Sequence, residues 1–250
     1  MDPFETGEHM LKYILFLSLI LSIMAGCSPK YYTANTQNVP LISEKGETNL
    51  TLSGNGNQVE FQGAYGVGSN IAIQGNAGLF IPSDLDNGDG GSGKFFEAGV
   101  GYFKPVAEHF VFELYGLVGA GSVENHLPST ANANPGTEGD ISANIFRYGI
   151  QPNFGFKSKY FSAAISSRLV NLRYSNIDGD LVYDGRGAAD YLRENNSLFL
   201  VEPALTVKAG LDKIKFQLQV GYSWNTTKEN FRQDSEFITI GLNFNFVDSK

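Results

Sequence analysis

From residue 47 onward the chain alternates with period two. In Ile214-Lys215-Phe216-Gln217-Leu218-Gln219-Val220-Gly221-Tyr222-Ser223-Trp224 one set of positions is apolar, and the residues between are polar or small. Successive side chains of a strand point to opposite faces, so this is a strand with one greasy face. Helical spacing never takes over for long. Ten such segments can be marked, at roughly 48–54, 57–67, 70–81, 95–104, 109–121, 143–157, 160–172, 198–209, 213–224 and 236–247. Most approach the ~9–11 residues that a tilted strand needs to cross a membrane.

The connections decide how such strands assemble. Gly68-Ser69, Pro105-Val106-Ala107-Glu108, Ser158-Lys159 and Gly210-Leu211-Asp212 are short. Residues 82–94, 122–142, 173–197 and 225–235 alternate with them and are long, polar and rich in Gly, Asn and Asp; only Asn55-Gly56 is brief. Short turns at one end and long loops at the other predict an all-β fold, an antiparallel up-and-down transmembrane β-barrel in the outer membrane. About ten strands are expected, or eight if the first hairpin lies outside the wall. The apolar set carries aromatics at both ends. Tyr102, Phe110, Phe112, Phe154, Phe156, Phe161, Phe216, Phe244 and Phe246 lie near the short turns. Phe96, Phe146, Tyr148, Phe199, Tyr222 and Trp224 lie near the long loops. Two such girdles are what a bilayer's interfaces favour. Abundant glycine (29 residues) and few charged residues (18%) suit the same architecture.

By parity the inward face carries Glu60, Glu97, Glu113, Arg147, Arg168, Glu202, Lys208 and Lys215. Ten strands enclose little space beyond their own side chains, and a charge placed there must be paired or hydrated. Arg168 and Glu202 fall at similar height on adjacent strands. This predicts a lumen plugged by a charge network of Arg147, Arg168 and Glu202, joined by Glu97 and Glu113, and excludes a wide diffusion pore.

The N-terminus carries a different signal. Residues 13–24 form one apolar run, too short to span a bilayer as a helix and preceded by Lys12. It ends in Met24-Ala25-Gly26-Cys27, which holds the chain's single cysteine. This stretch resembles the bacterial lipobox. The resemblance implies cleavage before Cys27 and a covalent lipid on its thiol. Residues 1–9 look like a tag or an over-extended start before Met10, so residues 1–26 are read as start plus signal peptide. Residues 27–46 are read as a lipidated polar tether, a linker or loosely docked arm, and 47–250 as the barrel. An even strand count would put the lipid-anchored N-terminus on the periplasmic side. At the other end, Thr239-Ile240-Gly241-Leu242-Asn243-Phe244-Asn245-Phe246 resembles the C-terminal signal of outer-membrane barrels. The resemblance implies that the barrel-assembly machinery reads Gly241, Phe244 and Phe246.

Several activities can be weighed against the same residues. Gly88-Asp89-Gly90-Gly91-Ser92-Gly93-Lys94 is spaced nearly like a phosphate-binding loop, but Phe95 follows the lysine and a strand, not a helix, comes next. Asp84, Asp86 and Asp89 crowd together, yet the calcium-loop positions five and twelve are Gly88 and Phe95. No cofactor or metal site is expected apart from the lipid on Cys27. The net charge of -8 excludes nucleic acid as a partner. After Cys27 the histidines are His109, at the short-turn end, and His126, with Ser92, Ser129 and Ser197 in the loops; these make no catalytic constellation. The expected function is therefore non-enzymatic, a structural or accessory subunit of an outer-membrane assembly. Its expected partners are membrane lipids, the assembly machinery and another outer-membrane protein. The alternatives are a surface-exposed binding or adhesion barrel that uses its long loops, and a narrow small-solute or ion channel.

Overall fold

The structure, a computed structural model, describes residues 29–84 and 87–247. Ten antiparallel strands form a closed barrel: β1 (Glu47–Gly54), β2 (Gln58–Gly66), β3 (Ile71–Asp84), β4 (Gly90–Ala107), β5 (Phe110–His126), β6 (Asp140–Lys157), β7 (Phe161–Gly179), β8 (Ser197–Gly210), β9 (Ile214–Tyr222) and β10 (Glu236–Val247). Each pairs with the next, and β10 returns to β1 in a register from Ile240↔Gly54 to Val247↔Glu47. The first hairpin is part of the wall, which removes the eight-strand alternative.

Alternation sets the two faces. On β9, Phe216 is 75% exposed while Gln219 is fully buried. The same inversion holds around the barrel: Ile240, Ile165, Val100 and Leu79 face outward, whereas Gln62, Asn76, Gln151, Asn153, Gln217 and Asn243 face the lumen and are buried. A wall that is apolar outside and amide-lined inside is suited to lipid and not to water. Phe96, Phe146, Tyr148, Tyr222 and Trp224 ring the long-loop end of that wall, and Tyr102, Phe110, Phe154, Phe161 and Phe246 ring the short-turn end, all exposed.

Five strands extend further than expected towards the long loops. Residues 82–84, 90–94, 122–126, 140–142 and 173–179 belong to β3, β4, β5, β6 and β7. Their ladders simply continue, as in Gly91↔Asn125 and Asn125↔Ile141. Beyond the bilayer both faces of a strand can meet water, so the apolar alternation that marks a membrane strand disappears while the hydrogen bonding does not. The loops above are packed. The helix α1 (Ala188–Glu194) buries Ala188, Ala189, Tyr191 and Leu192, and these join Leu181, Leu198, Tyr174, Phe231 and Phe237 in one apolar cluster.

That cluster also contains Tyr31, which reveals the main departure from expectation. Residues 31–43 do not hang from the barrel as a loosely docked tether. They run lengthwise through its lumen, with Tyr31, Ala34, Thr36, Gln37 and Ile42 fully buried. At the short-turn end the segment turns at Gly46, with φ +85°, into β1. Gly66 makes room for that turn: a Cβ there would lie 2.4 Å from the carbonyl oxygen of Glu44. At the long-loop end Tyr31 N–H donates to the Arg232 carbonyl at 2.9 Å, and Tyr32–Thr33 pairs in parallel with Gln233–Asp234.

The inside-out wall makes a direct test. Leu218, outward and near mid-strand, is expected to cost roughly 2–4 kcal/mol when replaced by Lys, as for a cation at the bilayer midplane. Leu211→Lys in the short turn is expected to cost almost nothing. Unfolding of each variant from lipid vesicles in urea measures the difference.

Candidate functional site

The lumen is the most elaborate polar site among the described residues, and it is built around Asn35. Arg168 on β7 stands directly opposite Glu202 on β8 in the strand register, and its Nε donates to Glu202 Oε2 at 2.7 Å. Arg147 on β6 donates to Glu97 Oε2 on β4 from Nη2 at 2.6 Å and from Nε at 3.1 Å. The two ion pairs are joined through the N-terminal segment. Asn35 Oδ1 accepts from Arg147 Nη2 at 2.8 Å and from Arg168 Nη1 at 3.0 Å, and the Asn35 carbonyl accepts from Arg168 Nη2 at 2.9 Å. Tyr32 adds a second link. Its hydroxyl accepts from Arg147 Nη1 at 2.8 Å and donates to Glu202 Oε1 at 2.7 Å. Two guanidiniums and two carboxylates thus form a neutral cluster with every side chain at most 1% exposed. Only mutual pairing and hydrogen bonding make such burial tolerable.

Phe95 supports the cluster from the side. The Arg147 guanidinium lies over its ring, 4.3 Å from the centroid. The ring occupies a slot left by Gly119 on β5, where a Cβ would fall 2.5 Å from the ring's Cζ.

Below Asn35 the wall reads the segment's backbone almost residue by residue. Glu60 Oε1 accepts from Thr36 N–H at 2.8 Å and from its hydroxyl at 2.7 Å. Gln219 offers its whole side-chain amide to Gln37: Oε1 accepts from the N–H at 2.7 Å, and Nε2 donates to the carbonyl at 2.9 Å. Gln151 and Lys208 donate to the carbonyls of Asn38 and Val39, at 2.7 and 2.8 Å. Lys157 Nζ donates to the Leu41 carbonyl at 2.8 Å, and Glu113 Oε1 accepts from Ile42 N–H at 2.8 Å. A backbone removed from water must find partners, and here inward side chains supply what a neighbouring strand would supply in a sheet.

The expected interior residues therefore divide. Arg147, Arg168, Glu202 and Glu97 come together. Glu113 does not join them; it lies lower, bound by Asn153, Tyr115 and Ile42, because it is on β5 three pairs from the short-turn end. Asn35, Tyr32 and Phe95 were missed. Gly241, Phe244 and Phe246 lie on β10, the strand that closes the barrel against β1, with Phe246 facing outward. Residues 1–28 are outside the described residues, so Cys27 and the signal-peptide reading have no structural account. The described part of the N-terminal segment begins at the long-loop end, where Lys30 and Tyr31 lie and where the segment enters the barrel.

The long-loop rim is held by polar clamps. Asp89 accepts from the Ser129 hydroxyl at 2.6 Å and from its N–H at 3.0 Å. Burial acts to raise this carboxyl's pKa, but the Ser129 donors override it and hold it below the usual value. Asp180 accepts from the Glu138, Gly139 and Asp140 N–H groups at 2.7, 3.0 and 3.2 Å, and these donors, Glu138 first, also lower its pKa. His126 Nδ1 is paired with Asp140. Asp89 therefore belongs to a loop clamp with Ser129. Asp86 is outside the described residues. A cavity of about 250 Å³ opens beside the segment, with Tyr31, Phe80, Phe95, Leu127 and Ile145 among its walls.

Fold and site together define a closed outer-membrane-type β-barrel filled by its own N-terminal segment. No protein-family model matches the chain, and no curated protein matches it. Among solved structures it is similar to the N-terminal β-barrel domain of Pseudomonas aeruginosa OprF, at 10% identity over 81% of this chain and 98% of that one, with a TM-score of 0.32. It is also similar to the KdgM porin, at 8% identity over 80% and 99% with a TM-score of 0.35. LpxR from Salmonella typhimurium is a third, at 9% identity over 80% and 99% with a TM-score of 0.36. This chain's own ladder of strands, closed by β10 on β1, defines the architecture.

Two outcomes are expected. Glu202→Ala leaves Arg168 buried without its carboxylate and should cost about 3–5 kcal/mol; Asn35→Ala should cost about 1–3 kcal/mol for each guanidinium donor it strands. Both are measured as lowered unfolding midpoints in urea. The rim responds to acid with a definite sign. Asp89 and Asp180 have lowered folded-state pKa values, so their stabilisation is full above the unfolded aspartate value of about 3.9 and is lost as pH falls through the folded values. Protection factors for amide exchange at Gly139 and Asp140, which donate to Asp180, should be full at pH 5 and fall only as pH drops below the unfolded aspartate value of about 3.9 and through Asp180's lowered folded-state value.

Proposed function

We propose that the protein is a sealed, non-enzymatic outer-membrane barrel that acts as a structural or accessory subunit of an outer-membrane assembly. The occupied lumen carries this reading. A transport barrel needs a path along its axis, and here the axis is taken by residues 31–43, bonded to inward side chains from Glu60 on β2 to Gln219 on β9. A barrel that conducts nothing still offers its wall, its short turns and its loops to neighbours. The non-enzymatic part is supported by what the rim side chains already hold. Ser129 donates its hydroxyl to Asp89 and not to His126, and His126 faces Asp140. The covalent lipid on Cys27, recognition of β10 by the barrel-assembly machinery, and a protein partner in the outer membrane are parts of the same proposal. Surface binding through the long loops is the second reading; the packed loop cap and the cavity beside Tyr31 and Phe95 favour it.

The test combines two measurements on the full chain. Purified barrel in planar bilayers should show no steady conductance, and a C-terminally tagged chain should bring down an outer-membrane protein in fixed stoichiometry from mild detergent. Large, steady conductance by the intact chain would overturn the sealed-barrel reading. A lone, heat-modifiable barrel with no stoichiometric partner would overturn the accessory role and leave the loop-binding reading.

A further inference from the structure

The direction of the lumen segment fixes where the chain's N-terminus goes. Traced backwards from β1, the segment starts at the short-turn end, where Glu47 pairs with Val247 and with Lys157. It passes Ile42 beside Glu113, then Gln37 beside Gln219, then Asn35 between the two arginines. It ends among the long loops. There Asn125 Nδ2, at the far end of β5, donates to the Lys30 carbonyl at 3.1 Å, and Lys30 Nζ lies 3.7 Å from Asp234. The Lys30 side chain is 40% exposed, so the segment has reached the rim at this point.

Cys27 is three residues further along. Three residues span at most about 11 Å, whereas a 17-residue strand such as β5 runs on the order of 55 Å. The cysteine cannot return to the short-turn face through a lumen that the segment already fills, nor reach it outside the wall. In an outer-membrane barrel the short turns face the periplasm and the long loops face outward.

We propose that the barrel is threaded on its own N-terminal arm, so that the lipid on Cys27 sits at the long-loop rim and anchors in the outer leaflet, at the cell surface. This rests on the lipoprotein reading of residues 13–27 and on the outer-membrane orientation. It reverses the expected placement of the lipid, and it makes the acylated terminus part of the same outer face as α1 and the loop clamps.

Cysteine accessibility in intact cells tests it. In the full chain, Lys30→Cys, the loop control Asn132→Cys and the short-turn control Lys213→Cys are labelled with a membrane-impermeant maleimide before and after outer-membrane permeabilisation. The ratio of intact to permeabilised labelling should be near one for Lys30→Cys and Asn132→Cys and near zero for Lys213→Cys. The parent chain, its only thiol acylated, should stay unlabelled and incorporate radioactive palmitate. Lys30→Cys labelled only after permeabilisation, like Lys213→Cys, would overturn the threaded path. A parent chain that reacts with maleimide and takes no palmitate would overturn the surface lipid through the lipoprotein reading, while the Lys30→Cys ratio still reports the path. An epitope inserted between Ser28 and Pro29, detected by antibody on intact cells, asks the same question without replacing a described residue. Heat-modifiable migration verifies that each variant is folded.

Discussion

A narrow barrel with an amide-lined interior has a problem of hydrogen bonding. Gln62, Asn76, Gln151, Asn153, Gln217, Gln219 and Asn243 all point inward, and each buried amide left alone is costly. Hydrophobic side chains cannot satisfy them, and the lumen of ten strands is too small for bulk water to do so throughout. An extended backbone can, because it carries one donor and one acceptor per residue at regular spacing. The pairing of the Gln219 side chain with both backbone groups of Gln37 is the clearest case. The wall and the segment complete each other: Gln62, Gln151 and Gln219 bond to the segment's backbone and Asn76 to its Asn38 side chain, while Asn153 and Asn243 find partners within the wall.

The ionic cluster follows from the same constraint. Glu202 and Arg168 could pair across adjacent strands, and Glu97 and Arg147 over the intervening Gly119 of β5, without help, but each guanidinium would still have donors left over. Asn35 Oδ1 takes one donor from each, its carbonyl takes a second from Arg168, and Tyr32 bridges between the pairs. The segment is thereby held at one height in the barrel. That height places Tyr31 in the apolar cap with Tyr191, Phe231 and Tyr174, so loop packing above and charge pairing within share one structural element.

The parts of this arrangement that alternate were legible in the sequence. The strands, the girdles and the inward charges all follow from period two, and Arg168 opposite Glu202 could be placed by height and parity alone. The filling of the lumen could not be read this way. A segment surrounded on all sides by a polar wall has no polar and apolar face, so Asn35-Thr36-Gln37-Asn38 shows no period and looks like linker. The available signal was compositional: a stretch rich in amides and hydroxyls beside a barrel whose inward positions are the same kinds of residue. Glu113 was grouped with the cluster by parity, although its place near the short turns separates it along the axis. Phe95 was hidden for a related reason. An inward aromatic looks out of pattern until Gly119, diagonally across on β5, is seen as the slot that receives it.

A filled lumen also restricts how the barrel can form. The axis accommodates one extended chain. With the proposed lipid on Cys27 the terminus would be too wide to be drawn through the closed barrel, and the wall would have to close around the arm. The connectivity allows this. The arm is continuous with β1 through Gly46, and it touches both sides of the seam: Glu60 on β2 accepts from Thr36, whose hydroxyl also reaches Thr239 on β10 at 3.2 Å. Laid along the inner face of β1 and β2 while the sheet curls, the arm would present donors and acceptors to each arriving strand. The C-terminal strand, β10, carries Gly241, Phe244 and Phe246. Pairing β10 with β1 would then both close the sheet and enclose the arm, so that barrel closure and placement of the N-terminus become a single event.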